Sequence, residues 1–464
     1  MSAVIDDPAR EPTRDSIRSD SDPTPLAVGD PARLFALVGG REVGLQEFLD
    51  QARAVAALLP EAGHAVNLCE DRYRFLVAFC AVAMRGQTTL MPPSRTPAAI
   101  KQARKRYPDS YCIGDDLGCG CGPAEAGHYL RLSDPLPRLE GPVPLIDGDA
   151  VVAIGFTSGS TGEPAANAKT WGSFVRSSAQ NMAALEDLWP AGDQPQLVAT
   201  VPPQHMYGME MSVLLPLLGG AAVHAGRPFF PADIAAALRD LPGNRVLVTT
   251  PVHLRTLVES GADLPPLRGI VSATAPMPPE LAAAAEARFD TEVRELFGST
   301  ETCIFARRRT SREQAWTLLP GVQLQPRPDG TGVHAPQLAE PVVLADLVEL
   351  HGPDRFSLRG RSADLLEVAG KRASLGELTR QLLAIPGVHD GVVLQLGEEG
   401  AGGVRRIAAV VVAPGLDERA ILAALRCVVD PVFLPRRLRL VLSLPRNETG
   451  KLPRTALLEL LASQ

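Results

Sequence analysis

Val151-Val-Ala-Ile-Gly-Phe-Thr-Ser-Gly-Ser-Thr-Gly162 joins an apolar run to a loop built of hydroxyl residues and glycine. A short apolar run bounded by glycine predicts a buried strand, and the polar turn begins where that strand ends. Glycines let backbone N–H groups approach oxygen atoms closely, and the hydroxyls of Thr157, Ser158, Ser160 and Thr161 add donors, so the loop suits a polyphosphate. It lacks the G-x-x-x-x-G-K-[ST] pattern of P-loop nucleotidases. Taken alone, the segment could equally be an ordinary polar turn.

Outward from this stretch, strand-like runs recur at residues 196–201, 221–224, 245–250 and 269–272, with helical segments between several of them. Upstream, LQEFLDQARAVAALL has helical periodicity, AVNLCE reads as a strand and RFLVAFCAVAMRG as an apolar helix. Such alternation predicts an α/β fold of mostly parallel sheets flanked by helices. From about Arg361 the pattern restarts: extended DLLEV, a helix near residues 375–384, strands GVVLQL and RIAAVVVA, helix ERAILAALRCVV and strand LRLVLSL. That is a separate α+β unit of about 100 residues. The expected division is a flexible tail over residues 1–25, a large domain over 26–360 and a small C-terminal domain over 361–464.

With 464 residues, 45% of them hydrophobic and 21% charged, the chain can bury more than one core. Aromatics are only 5%, so those cores must lean on Ala, Leu and Val. A net charge of -7 excludes a general nucleic-acid binder, which needs a basic surface to displace counterions. Locally the balance reverses: after Pro431, Arg436, Arg437, Arg439, Arg446, Lys451 and Arg454 face only Glu448 and Glu459. This is either a solvated face or a docking surface for an acidic partner or a phosphate-bearing cofactor. Seven cysteines, an odd number lying mostly in apolar runs, predict reduced thiols, and the isolated Cys119/Cys121 pair makes no zinc site. The first 25 residues contain no signal-peptide core, and no run reaches the ~20 apolar residues of a membrane helix. A cytoplasmic protein without membrane attachment is expected.

Six further segments carry chemistry. They are Pro202-Pro-Gln-His-Met-Tyr-Gly208, Ser272-Ala-Thr-Ala-Pro-Met277, Leu296-Phe-Gly-Ser-Thr-Glu-Thr302, Asp346 in VVLADLVEL, the run from Gly360-Arg361 to Gly370-Lys-Arg372 with Glu377, and Leu444-Pro-Arg-Asn-Glu-Thr-Gly-Lys-Leu-Pro-Arg454. With TSGSTGEP they resemble, in order along nearly the whole chain, the motifs of the adenylate-forming superfamily. That superfamily includes acyl- and aryl-CoA synthetases, luciferases and the adenylation domains of peptide synthetases.

The resemblance implies an ATP- and Mg²⁺-dependent ligase that turns an acid into its acyl-AMP and passes the acyl group to a thiol, with a small mobile C-terminal domain. ATP or AMP would be held by Thr157, Ser158, Gly159, Ser160, Thr161 and Gly162. Ala273, Thr274, Phe297, Gly298 and Ser299 would take the adenine side, Asp346 the ribose, and Arg361 the ribose or phosphate. Thr300 would touch phosphate and Glu301 the metal, in keeping with a π face for a purine and a hard carboxylate for magnesium. His205, Tyr207 and Gly208 would line the acyl pocket, with His205 beside the carboxylate. Ala363 and Asp364 would form the hinge. Lys451 would bridge carboxylate and α-phosphate, stabilising charge that grows during attack. The catalytic set is thus Lys451, His205 and Thr300.

The sequence departs from the family in places. Gly162-Glu-Pro-Ala165 lacks the lysine that usually ends the phosphate loop, and Lys169 is the candidate substitute. The usual Thr-Gly before Asp346 is absent, and Ala363 stands at the common hinge Asp. No Asp in His205-Met-Tyr-Gly-Met-Glu210 would hold a substrate amine, which disfavours an amino acid. The Lys169-Thr-Trp171 triplet, the short length and NLCEDRYRF resemble stand-alone ligases that load aromatic acids, such as a hydroxybenzoate, onto the phosphopantetheine of acyl carrier proteins in pigment pathways. Two alternatives stay open: a ligase using free CoA, and a catalytically silent binding or scaffold protein suggested by Ala165, Ala363 and Glu367. The expected partners are a small acid and an acyl carrier protein, with no nucleic acid and no membrane.

Overall fold

The apolar runs of the sequence become neighbouring strands. In the computed structural model, which describes residues 23–115, 129–157, 165–328, 330–361, 365–368, 371–396, 406–447 and 452–462, the strands include Val151–Thr157, Gln196–Ala199, Ala222–His224, Arg245–Thr249 and Gly269–Ser272. Helices Leu45–Ala56 and Arg72–Met84 fall where periodicity puts them. The second is apolar on nearly every side because it is buried almost throughout, packed between the first helix and strands of the smaller sheet.

Two sheets dominate the described residues. The six-stranded sheet runs Ala165–Thr170, Val151–Thr157, Thr88–Met91, His64–Asn67, Ser110–Gly114, Tyr129–Arg131. All its pairs are parallel except the first, where Ala165 lies opposite Thr157. Residues 158–164, which hold the candidate phosphate loop, therefore link the two strands of an antiparallel hairpin and themselves lie outside the described residues.

The eleven-stranded sheet has a parallel centre, Leu34–Val38, Ala222–His224, Gln196–Ala199, Arg245–Thr249, Gly269–Ser272 and Val293–Ser299. Beyond Val293–Ser299 it turns antiparallel through Cys303–Arg308, Trp316–Leu318, Arg355–Arg361 and Asp346–Leu350. The expected parallel arrangement thus holds for the centre, while short connections such as the one from Ser299 to Cys303 can only join antiparallel neighbours. A core led by Phe35, Phe48, Phe75 and Trp171 fills the space around these layers.

After Arg361 the chain builds a second core. Ile407–Val412 pairs antiparallel with Asp390–Gln395 and parallel with Arg437–Leu440. Its alternation sends Ile407, Ala409 and Val411 toward Leu382 and Ile421, and Ala408 and Val410 toward Leu457 and Leu461. Ser374 caps helix Leu375–Leu383 by accepting the Glu377 N–H at 3.1 Å, so Glu377 of the junction segment occupies the third position of a Ser-x-x-Glu start. No helix among the described residues is long and apolar enough to cross a membrane.

Leu382 is fully buried in this second core. Leu382→Ala should cost about 2–5 kcal/mol, read as a lower midpoint in urea unfolding followed by a probe in the C-terminal unit. An unshifted midpoint would mean that the core is looser than its packing shows.

Candidate active site

Three of the motif segments meet where the two sheets approach each other. A Cβ added to Gly155 would stand 2.8 Å from Thr300 Cγ2 and 3.4 Å from Met206 Cε. The glycine inside VVAIG therefore lets the Ser299–Cys303 turn and the Pro202–Gly208 segment close on the strand that leads into the phosphate loop.

The turn holding Thr300 and Glu301 is braced from within. Ser299 N–H donates to Thr302 Oγ1 at 3.1 Å, Thr302 N–H to Ser299 Oγ at 3.2 Å, and Thr302 Oγ1 to the Cys303 carbonyl at 2.8 Å. Cys303 takes a left-handed φ of 60°, and a Cβ on Gly298 would lie 2.2 Å from its carbonyl oxygen. Ser299, implied as a nucleotide contact, thus has its hydroxyl engaged inside the turn. Thr300 and Glu301 sit half-buried at the tip. Phe297 is half-buried, its ring centroid 5.1 Å from Trp316 and 5.2 Å from Phe305, so an aromatic cluster orients the ring.

Thr274, next to buried Ala273, adopts φ 78°, a conformation β-branched residues rarely hold. Asp346 lies opposite Arg361 in the antiparallel ladder, and its carbonyl accepts from Thr331 Oγ1 at 2.6 Å. The two candidate ribose residues are therefore strand neighbours. The assigned roles of Ser158 to Gly162, Ala363, Asp364 and Lys451 fall outside the described residues.

The Pro202–Gly208 segment is fixed by residues that motif reading missed. His205 Nδ1 accepts the Tyr207 N–H at 3.3 Å, which leaves the ring proton on Nε2 in the neutral form. Tyr207, an expected acyl-pocket residue, donates its hydroxyl to the Val271 carbonyl at 2.9 Å, and burial pushes its pKa well up. Arg72, fully buried, donates to the carbonyls of Ala199 (2.8 Å) and Val201 (2.9 Å) and to Ser212 Oγ. Burial lowers its pKa to about 9. The one sequence signal for Arg72 is a cation in the first turn of a largely apolar helix, a position usually read as solvated.

Lys169 is also buried, and its Nζ donates to the Glu301 carbonyl at 2.6 Å. The expected substitute for the phosphate-loop lysine is thus tied to the backbone of the metal-side turn.

The donor set suits magnesium. Among the described residues no three His, Cys, Asp or Glu side chains cluster to hold a metal, and Glu301 sits half-buried at the turn tip. A single carboxylate at a turn tip fits an ion that fills its remaining positions with phosphate oxygens and water.

A Cβ on Gly208 would lie 2.0 Å from the Pro202 carbonyl oxygen, a backbone atom with nowhere to go. Gly208→Ala should therefore displace the segment, destabilise the protein by about 1–3 kcal/mol and raise the KM for the acid in pyrophosphate exchange more than that for ATP. An unchanged acid KM would remove the segment from the acyl pocket.

The chain is similar to several ligases. A 4-coumarate–CoA ligase of Rhodobacter capsulatus is 33% identical over 303 residues, covering 64% of this chain and 74% of the relative. A sulfoacetate–CoA ligase of Cupriavidus necator is 27% identical over 361 residues, covering 68% of each. Among solved structures, ATP-bound MatB from Rhodopseudomonas palustris shares the fold with a TM-score of 0.80 at 20% identity, covering 93% of this chain and 96% of that one. The family model described as AMP-binding enzyme matches residues 27–334, setting aside the silent-scaffold alternative. The chain belongs to the AMP-binding enzyme family and is an ATP-dependent, AMP-forming ligase.

Proposed function

We propose that this ligase adenylates an aromatic carboxylic acid, such as a hydroxybenzoate, and transfers the acyl group to the phosphopantetheine thiol of an acyl carrier protein. The observation that carries the reading is the approach of Gly155, Thr300 and Met206, which gathers the phosphate hairpin, the metal-side turn and the acid-side segment at one place.

In this reading the hydroxyls of Thr157, Ser158, Ser160, Thr161 and Thr300 hold the phosphates, while Asp346 and Arg361 hold the ribose. Mg²⁺ at Glu301 would neutralise triphosphate charge. An oxygen of the acid, oriented by His205 and Lys451, attacks the α-phosphorus and pyrophosphate leaves. The thiol sulfur then attacks the acyl carbon, its proton is lost, and AMP departs. Residues 361–464 would rotate about Ala363 and Asp364 between the two steps, so that one cleft serves both. Activation is needed because a carboxylate is a poor electrophile until AMP becomes its leaving group.

For the acceptor, Arg436 and Arg437 are exposed at the start of the edge strand Arg437–Leu440, where they would steer an acidic carrier. Arg446 is unavailable for that role, being paired with Asp390 at 2.7 Å. A second reading, free CoA as acceptor, is favoured by the names of the relatives, which are CoA ligases. The thiol chemistry is the same.

ATP–pyrophosphate exchange over a panel of acids tests the first half-reaction, with aromatic acids expected to lead. Lys451→Ala should abolish exchange while keeping ATP binding, and exchange at the wild-type rate would end the assignment. For the second half-reaction, carrier loading should fall with added salt more steeply than exchange does, since steering is screened over about 8 Å at physiological ionic strength. Faster turnover with CoA than with carrier would favour the second reading.

A further inference from the structure

A buried ammonium is costly unless its hydrogen bonds and charge are met inside the protein. Lys169 is 4% exposed and Glu210 2% exposed, and both lie against the Ser299–Cys303 turn. Lys169 comes from Ala165–Thr170, the hairpin strand of the six-stranded sheet, and donates to the Glu301 carbonyl. Glu210 lies two residues beyond Gly208, at the start of the π-helical stretch Glu210–Leu214. Its Oε1 accepts from Ser177 Oγ (2.6 Å), Ile304 N–H (3.1 Å) and Asn181 Nδ2 (3.2 Å). Burial raises the Glu210 carboxyl above its usual range, with the three hydrogen bonds and the Lys169 charge opposing that shift. From the far side Gln337 Nε2 donates to the Thr302 carbonyl at 3.0 Å.

The backbone of residues 301, 302 and 304 is therefore gripped by three side chains from three separate parts of the fold. Two of them follow directly from the candidate phosphate hairpin and the candidate acid segment. None of this is needed to close the turn, which the Ser299–Thr302 bonds already do. It determines instead where the finished turn stands.

We infer that Lys169 and Glu210 form a buried latch that positions the Thr300–Glu301 tip against the phosphate hairpin, so that Lys169 is a positioning residue for adenylation and not a phosphate ligand. The inference rests on the adenylation reading above and deepens it. Its physical content is that the tip is aligned through the Glu301 carbonyl, leaving that residue's carboxylate to face the metal. A tip misplaced by about 1 Å can lose on the order of a hundredfold in rate.

The test uses the full-length protein in four forms: wild type, Lys169→Met, Lys169→Arg and the double variant Lys169→Met/Glu210→Gln. Thermal unfolding and pyrophosphate exchange are both measured, the latter titrated with Mg²⁺ and with ATP. Lys169→Met leaves the Glu210 carboxylate buried without its cation, so its melting midpoint should fall. The double variant removes both charges and should melt near wild type. If the latch positions the tip, the double variant stays about a hundredfold low in kcat and needs more Mg²⁺ for half-saturation. Lys169→Arg, which keeps a donor and a charge, should recover part of both.

Exchange that returns with stability in the double variant would overturn the inference, leaving the two charges a structural role only. A raised ATP KM with kcat and the Mg²⁺ requirement unchanged would overturn it in favour of direct phosphate contact. Failure of the adenylation reading looks different: wild type itself shows no exchange with any acid, whereas the melting arm still reports whether Lys169 and Glu210 compensate each other.

Discussion

Two sheets that share few residues must bring their strand ends within van der Waals reach, and the missing side chain of Gly155 is what permits it. A Cβ there would stand 2.8 Å from Thr300 Cγ2, closer than real Cβ contacts come, and 3.4 Å from Met206 Cε. Packed interiors have little free volume for those side chains to move into. Gly298 and Gly208 impose the same condition at the neighbouring turn and segment, each facing a carbonyl oxygen closer than any Cβ tolerates. Close approach at three glycines sets the geometry around which the rest of the site is arranged.

Around that contact the protein places charges where apolar residues would be cheaper. Arg72, Lys169 and Glu210 are all buried; Arg72 and Glu210 each have several polar partners and Lys169 donates to the Glu301 carbonyl. Such groups add little net stability, since desolvation offsets most of the attraction. They do restrict the backbone to one arrangement: Arg72 holds carbonyls 199 and 201 just before the Pro202–Gly208 segment, and Lys169 holds carbonyl 301 in the Ser299–Cys303 turn. The left-handed Thr274 and Cys303 lie in the same neighbourhood, and strain of this kind persists where surrounding contacts over-determine it.

Much of the architecture was legible as periodicity. The apolar strand before TSGSTG, the helix Arg72–Met84 and the alternating Ile407–Val412 each have a pattern that only one structure buries. The antiparallel outer part of the larger sheet was not legible, because strand direction depends on connection lengths and partners that a residue pattern does not encode. Among the site residues, those in short motifs could be found by eye: Thr300, Glu301 and His205 stand beside glycines and prolines. Arg72, Glu210 and Gln337 could not. They act on backbone carbonyls and amides far away in sequence, and a lone Arg or Glu at the end of an apolar run looks the same whether it is solvated or buried.

The sequence by itself determined the class of fold and the order of motifs that identifies the enzyme family, since these follow from local pattern and spacing. Only the tertiary structure decided what individual polar groups do. Tyr207 turned its hydroxyl to the Val271 carbonyl, Ser299 used its own inside the turn, and Lys169 reached Glu301 across the gap between two sheets. The reason is physical: hydrogen bonds are short and directional, so a polar side chain's partner is set by which atoms folding brings within about 3 Å, and that distance is not written in the chain until the sheets have packed.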